Sequence, residues 1–201
     1  MSELHPWVVG AARGALPEWA VARKKRRAHM ERVSALLREW GEGRGDDPRD
    51  VERWAAVGYL HDVLRDADPD ELRVASSVPL DHLPDEVVHG PAAADRLRQG
   101  GVGDEPLLAA IAFHTLGSPD FDDIGKALYV ADFLEPGRKL QPEWRARLRD
   151  EMPEGLNSVA QAVVGKRVQF LIKKGWPVPT ETFGLWNILS KGRSWASASE
   201  L

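Results

Sequence analysis

The chain has no cysteine among its 201 residues, which excludes a disulfide framework, a thiolate metal site and a cysteine nucleophile. No run approaches the roughly 18 apolar residues of a membrane-spanning helix. The first ten residues lack a basic region leading into an apolar stretch and a small-residue cleavage site. A cytoplasmic protein without membrane attachment is therefore expected. Alternation of the strand period is missing over any useful length, and so is an internal repeat, which makes the expected fold class all-α. Charge of one sign is not in excess either, the formal net charge being -4. The basic run Arg23, Lys24, Lys25, Arg26 and Arg27 sits among helix-forming residues and reads mainly as a solvated helix face, weak ground for a nucleic-acid partner. What remains, at 43% hydrophobic and 29% charged residues, is an ordinary globular composition, and one domain is expected.

Punctuation along the chain sets out the helices. Residues 17–40 read as one helix with Pro17 in its first turn and Gly41 after its last apolar residue. On it His29, Val33, Leu36, Leu37 and Trp40 share a face. Asp47-Pro48 is a cap followed by a first-turn proline, opening a helix whose apolar face carries Trp54, Val57, Leu60, His61 and Leu64. Asp68-Pro69 repeats that start, and Val78-Pro79 and Leu83-Pro84 mark a turn-rich connection. His89-Gly90-Pro91 is expected to interrupt the next helix, which Gly100-Gly101 ends. Asp104 caps a helix with Leu107, Ile111 and His114 on one face, and Ile124, Leu128 and Asp132 recur at four-residue steps in another. Further helical pattern covers residues 144–152, 159–172 and 180–189. The domain is set at residues 17–190, preceded by an extension over 1–16 and followed by a frayed tail over 191–201.

The chemistry lies in what interrupts the apolar faces. Of six histidines, His29, His61, His89 and His114 fall where helices should meet, while His5 and His82 read as surface residues. A single buried histidine is usually a hydrogen-bonded core residue; four together with Asp62 and Asp132 are not explained that way. A carboxylate buried at Asp132 costs several kcal/mol unless paired or bound to a cation, and no basic residue lies one turn away on its stripe. Imidazoles and carboxylates suit Fe, Mn, Zn or Ni. Because successive helical residues point about 100° apart, the adjacent His61 and Asp62 suit two metals, with Asp62 reaching across between them.

The order His29, His61-Asp62, His89, His114, Asp132 resembles that of the HD-domain phosphohydrolases. His114-Thr115-Leu116-Gly117 and the string from Tyr129 to Arg138, with Ala131-Asp132-Phe133-Leu134-Glu135-Pro136-Gly137-Arg138, look like signatures of the YqeK-type branch. The likeness covers roughly residues 20–190. It implies a helical bundle with a dinuclear centre, divalent or mixed-valent, with iron foremost and Mn, Zn, Ni or Mg as alternatives. The implied activity is symmetric hydrolysis of diadenosine tetraphosphate to two ADP, with a nucleotide as partner and a homodimer as a further possibility. Carried over residue by residue, His29, His61, Asp62 and Asp132 would hold one metal, and Asp62, His89 and His114 the other. Where the family has lysine after the dyad, this chain has Val63-Leu64-Arg65, a planar fork that can bind phosphate but does not donate a proton. Phe133 and Trp186 stand where the family carries tyrosine.

Two cations about 3.5 to 4 Å apart can lower the pKa of a bridging water and neutralise charge developing at phosphorus. Positioning then falls to basic groups around them. Asp62, Arg65 and Arg138 are the candidate catalytic residues. Lys126, Thr115, Glu135 and Arg138 are the candidate substrate contacts. Competing local explanations exist: a helix-end pair between Arg138 and Glu135, and a hydroxyl of Thr115 bonded back to its own helix. Trp40 and Trp54 are expected in the core. Two other readings stand beside the first: a different HD activity, such as a nucleotide 5′-phosphatase or cyclic-dinucleotide phosphodiesterase, and a metal- or nucleotide-binding module without turnover.

Overall fold

The structure is a computed structural model and describes residues 3–191, so that all but the first residue of the expected tail lies outside the described residues. Those residues form helices and connections without a strand. The long hairpin of α2 (Lys24–Gly43) and α3 (Pro48–Leu60) is its largest helix pair. α1 (Pro6–Ala12) lies on α3, α4 (Pro69–Ala75) leads into α5 (Asp85–Gln99), and α5 packs on α6 (Glu105–Phe113). α7 (Asp123–Leu134) runs through the middle, touching α2, α3, α6, α8 (Pro142–Asp150) and α9 (Leu156–Lys174), and α10 (Thr180–Leu189) folds back on α9.

The aspartate-proline starts fold as their sequence indicates. Asp47 accepts from the amides of Arg49 and Asp50, and Asp68 from those of Asp70 and Glu71, each with proline in the first turn. Asp104 caps α6 through the Leu107 amide and is also paired with Arg53 of α3. Trp40 and Trp54 are buried in the core, as expected.

Three local expectations fail, the first two for a tertiary reason. The helix carrying His29 starts at Lys24, not near residue 17. The chain before it is used otherwise: the Val21 amide donates to the Val63 carbonyl at 2.9 Å, the Asp66 amide to the Val21 carbonyl at 3.3 Å, and the Arg23 amide to the Asp66 carboxylate at 2.8 Å. This short clamp fixes the turn that follows His61-Asp62. The second failure is Pro91, which α5 carries inside the helix without breaking. Gly90 beside it lets α5 approach the end of α6, where a Cβ would stand 2.9 Å from the Ala112 carbonyl oxygen. The packing against α6 outweighs one lost backbone hydrogen bond. Third, His5 is half-buried rather than a free surface residue: its Nδ1 accepts from the Trp7 amide at the start of α1, and its ring meets Trp7 edge to face.

Residues 1–16, expected as an extension, include α1, whose Val8, Ala11 and Ala12 join the same core as the rest. Among the described residues no helix is long and apolar enough to cross a membrane.

The α2–α3 contact is close enough to be tested. At Gly58 a Cβ would meet the Ser34 Cα and N at 2.8 Å and Leu37 at 2.9 Å. Alanine is the better helix former by about 1 kcal/mol, yet here the added methyl presses on backbone. Gly58→Ala should therefore destabilise the protein by about 1–2 kcal/mol net. The check is a lower urea midpoint at unchanged slope; an unchanged or higher midpoint would show that the helices separate without penalty.

Candidate metal centre

Five helices deliver the six candidate ligands to one buried place. His29 comes from α2, His61 and Asp62 from the turn ending α3, His89 from α5, His114 from the end of α6 and Asp132 from α7. The dyad owes its placement to the helix ending at Leu60: His61 and Asp62 lie in the following turn, where two neighbours can face one centre. His29, His61, Asp62, His89 and His114 are all buried, and Asp132 is half-buried.

Asp62 organises two groups of donors. Its Oδ2 lies 3.5 Å from the Nε2 of His61 and 3.7 Å from that of His29, which is itself 3.1 Å from an Asp132 oxygen. Its Oδ1 lies 3.1 Å from the Nε2 of His89 and 3.4 Å from that of His114. The donor atoms of His29, His61 and Asp132 lie within 4.8 Å of one another, as do those of His61, Asp62 and His114. His61 thus stands at the junction of the two groups.

Proton positions show what the arrangement is for. His61 Nδ1 lies 2.8 Å from the Gly58 carbonyl and His114 Nδ1 lies 2.8 Å from the Ile111 carbonyl, contacts in which the ring nitrogen must donate. His29 Nδ1 faces the Glu135 carboxylate at 3.3 Å. With Nδ1 carrying the proton, the inward Nε2 atoms hold lone pairs. His29 and His61 then point lone pairs at each other across 3.2 Å, an arrangement that a cation between them would turn from repulsive to favourable. His89 is the exception, its Nδ1 buried with no hydrogen-bond partner among the described residues. The donor set fits first-row transition metals.

The electrostatics favour bound cations. Burial is the largest influence on Asp62 and would raise its pKa, but the surrounding imidazoles, His61 first among them, hold the carboxylate well below its usual range. The same balance against burial keeps Asp132 low through His29 and His61. Burial pushes His89 down to about 4, aided by His114 and Arg65, so it is neutral and free to ligate at neutral pH.

Around the ligands the expectations divide. Arg138 reaches the centre: its Nη2 lies 2.6 Å from Asp132 Oδ1, with Glu135 farther off at 3.7 Å. The helix-end pairing with Glu135 is thus the lesser contact. Thr115 does not bond back to its own helix; its hydroxyl lies 3.2 Å from the Nε2 of His114, at the edge of the second group. Arg65 is half-buried, near enough to His89 to lower its pKa, and has no carboxylate partner among the described residues. Lys126 is not brought to the centre: its ammonium is held by Asp123 at 2.8 Å and Asn157 at 2.9 Å, facing α9. Glu135 is buried and committed to protein partners, gripping His29 on one side and Arg32 at 2.5 Å on the other, with the Gly137 amide as a third partner. Its contact with His29 is of the kind that orients a metal ligand.

Two residues at the centre escape the sequence reading. Arg26 donates to Asp62 Oδ2 at 2.5 Å, and Arg32 holds Glu135. Both stand three residues from His29, one turn to either side, a spacing that could have shown them.

A family model described as "HD domain" matches residues 26–137. Three curated relatives carry the name bis(5′-nucleosyl)-tetraphosphatase, symmetrical. The protein from Halalkalibacterium halodurans is 28% identical over 70% of this chain and 77% of its own length. That from Bacillus subtilis is 38% identical over 56% of this chain and 60% of its own length. That from Staphylococcus aureus is 28% identical over 82% of this chain and 86% of its own length. Among solved structures, a predicted HD superfamily hydrolase involved in NAD metabolism from Clostridium acetobutylicum superposes with a TM-score of 0.71 at 24% identity, covering 93% of this chain and 98% of the other. That last likeness establishes the fold.

If Glu135 fixes His29 for coordination, Glu135→Ala should weaken the metal held with His29 by about 10–100-fold while the helical circular dichroism stays intact. Elemental analysis after dialysis against a graded chelator measures it. Metal retained as in the parent protein would show that His29 needs no such support.

Proposed function

The chain belongs to the HD-domain family, and from that membership, the three named relatives and the geometry of the centre we propose that it hydrolyses diadenosine tetraphosphate at the central bridge to give two ADP. The observation that carries the reading is the division of Asp62, one oxygen toward His29 and His61 and the other toward His89 and His114. Such a set suits two adjacent cations of the first transition row, and iron is the one we propose.

When bound, the two cations polarise phosphoryl oxygens, lower the pKa of water and neutralise developing charge. The chain's own residues then hold and orient the polyphosphate. Arg138 flanks the first group beside Asp132, and Arg65 and the Thr115 hydroxyl flank the second. Basic groups on either side of Asp62 fit a substrate whose reacting bond lies at its own midpoint. Water oxygen bonds to one β-phosphorus, the bridging P–O bond breaks with its electron pair on the departing oxygen, and water's proton passes to solvent.

This arrangement accounts for arginine after the dyad. The departing group is a terminal phosphate whose second pKa is about 6, so at neutral pH it leaves without needing a proton. An arginine fork that only binds charge is sufficient there, and a lysine proton donor is dispensable.

The test uses protein purified without chelator, with its metals identified by elemental analysis, then supplied with Fe or Mn and a nucleotide panel whose products are separated by chromatography. ADP as sole product from diadenosine tetraphosphate is expected, and Asp62→Asn should lower turnover by about 10³-fold or more, in line with loss of a transition-state charge clamp. AMP with ATP as products, or no turnover by the metal-loaded parent, would overturn the reading.

A further inference from the structure

The basic run at the start of α2 is placed against a local rule. The first turn of this helix holds Lys24, Lys25 and Arg26, with Arg23 at the cap position, no acidic residue and no side-chain cap. Cations at a helix N-terminus oppose its dipole, each by about 0.3–1 kcal/mol when exposed. α3, α4, α5, α6 and α7 all place an acidic residue in that first turn. A local rule broken at one helix start calls for a compensating gain elsewhere.

That gain has a place. Arg23, Lys24, Lys25 and Arg26 line one side of an open cleft of about 600 Å³, and Arg138 with Gly137 lines the other. The floor includes His29 and Glu135, so the cleft opens directly on the first donor group. Its size suits a nucleotide moiety. Its charge does not balance: with Arg26 paired to Asp62 and Arg138 to Asp132, Arg23, Lys24 and Lys25 still stand against Asp66 and Glu135. Glu135 is already paired with Arg32, and Asp66 accepts from the Arg23 amide. Arg23, Lys24 and Lys25 are exposed, and none of the three makes a side-chain ion pair among the described residues. Beside the second donor group stands Arg65.

We propose that this cleft is the subsite for one half of the polyphosphate substrate, and that Arg23, Lys24 and Lys25 set selectivity for a long phosphate chain over a small phosphodiester. The inference rests on the hydrolytic reading above. A symmetric substrate meets unequal ends: one ADP half lies among the α2 cations and Arg138, the other beside Arg65 and Thr115. The richer side binds the polyanion through charge-assisted contacts that a diester with one phosphate does not reach.

The experiment compares metal-loaded parent protein with the triple variant R23Q/K24Q/K25Q on diadenosine tetraphosphate and on bis(p-nitrophenyl) phosphate. The ratio of kcat/KM for the first to that for the second should fall about tenfold, carried by KM. An unchanged ratio overturns the inference, whether both activities hold or both decline together. Inorganic tripolyphosphate, titrated calorimetrically into both proteins, should bind the variant about tenfold more weakly and with a shallower salt dependence; equal binding also overturns it. Failure of the parent to cleave the tetraphosphate would instead strike the hydrolytic reading, and the tripolyphosphate titration still decides the subsite.

Discussion

A buried carboxylate that faces two ways is the constraint from which the rest of this structure follows. Asp62 is taken out of water with four imidazoles around it, and removing such a charge from water costs several kcal/mol unless partners replace the lost hydration. Partners on one side would satisfy a single oxygen. Here both oxygens are faced, by His61 and His29 on one side and by His89 and His114 on the other. No single helix can present that many donors around one point, so ligands from α2, α5, α6 and α7 have to meet at the end of α3. The central position of α7, the close α2–α3 contact at Gly58 and the approach of α5 to α6 at Gly90 are the packing that allows it.

The supporting contacts have one purpose in common, to leave Nε2 lone pairs facing inward. Carbonyls at Gly58 and Ile111 belong to the same helices as the histidines they hold, so local helical geometry orients His61 and His114. His29 sits early in α2 and has no such carbonyl contact among the described residues; a carboxylate from the end of α7 serves instead, itself steadied by Arg32. Two local devices and one long-range device thus reach the same tautomer. The long-range one ties α2 to α7, the two helices whose ligands share the first donor group.

How far the sequence could be read depends on whether a signal was local. Capped starts at Asp47, Asp68 and Asp104 follow from side chain and backbone within one turn, and they stand where the sequence puts them. The histidines emerge because they interrupt apolar stripes. The start of α2 was not legible, because residues 21–23 are recruited to the turn after the dyad by backbone hydrogen bonds that no periodicity encodes. Pro91 misled for the converse reason: a local breaker is tolerated where packing against α6 supports the helix. Glu135 and Lys126 were both read by residue type as substrate contacts. Their side chains are committed elsewhere, to His29 and Arg32 in one case and to Asp123 and Asn157 in the other, and only the three-dimensional neighbours reveal this.

The same division explains the two kinds of arginine about the centre. Arg32 is spent on Glu135 and stabilises the ligand frame, and Arg26 and Arg138 lie on the carboxylates Asp62 and Asp132. Carboxylates shared with cations would bind these two guanidinium groups less strongly, since the metal charge offsets the attraction. Arg26 and Arg138 also line the cleft, so the guanidinium groups that neutralise two ligand carboxylates face the space beside the first donor group.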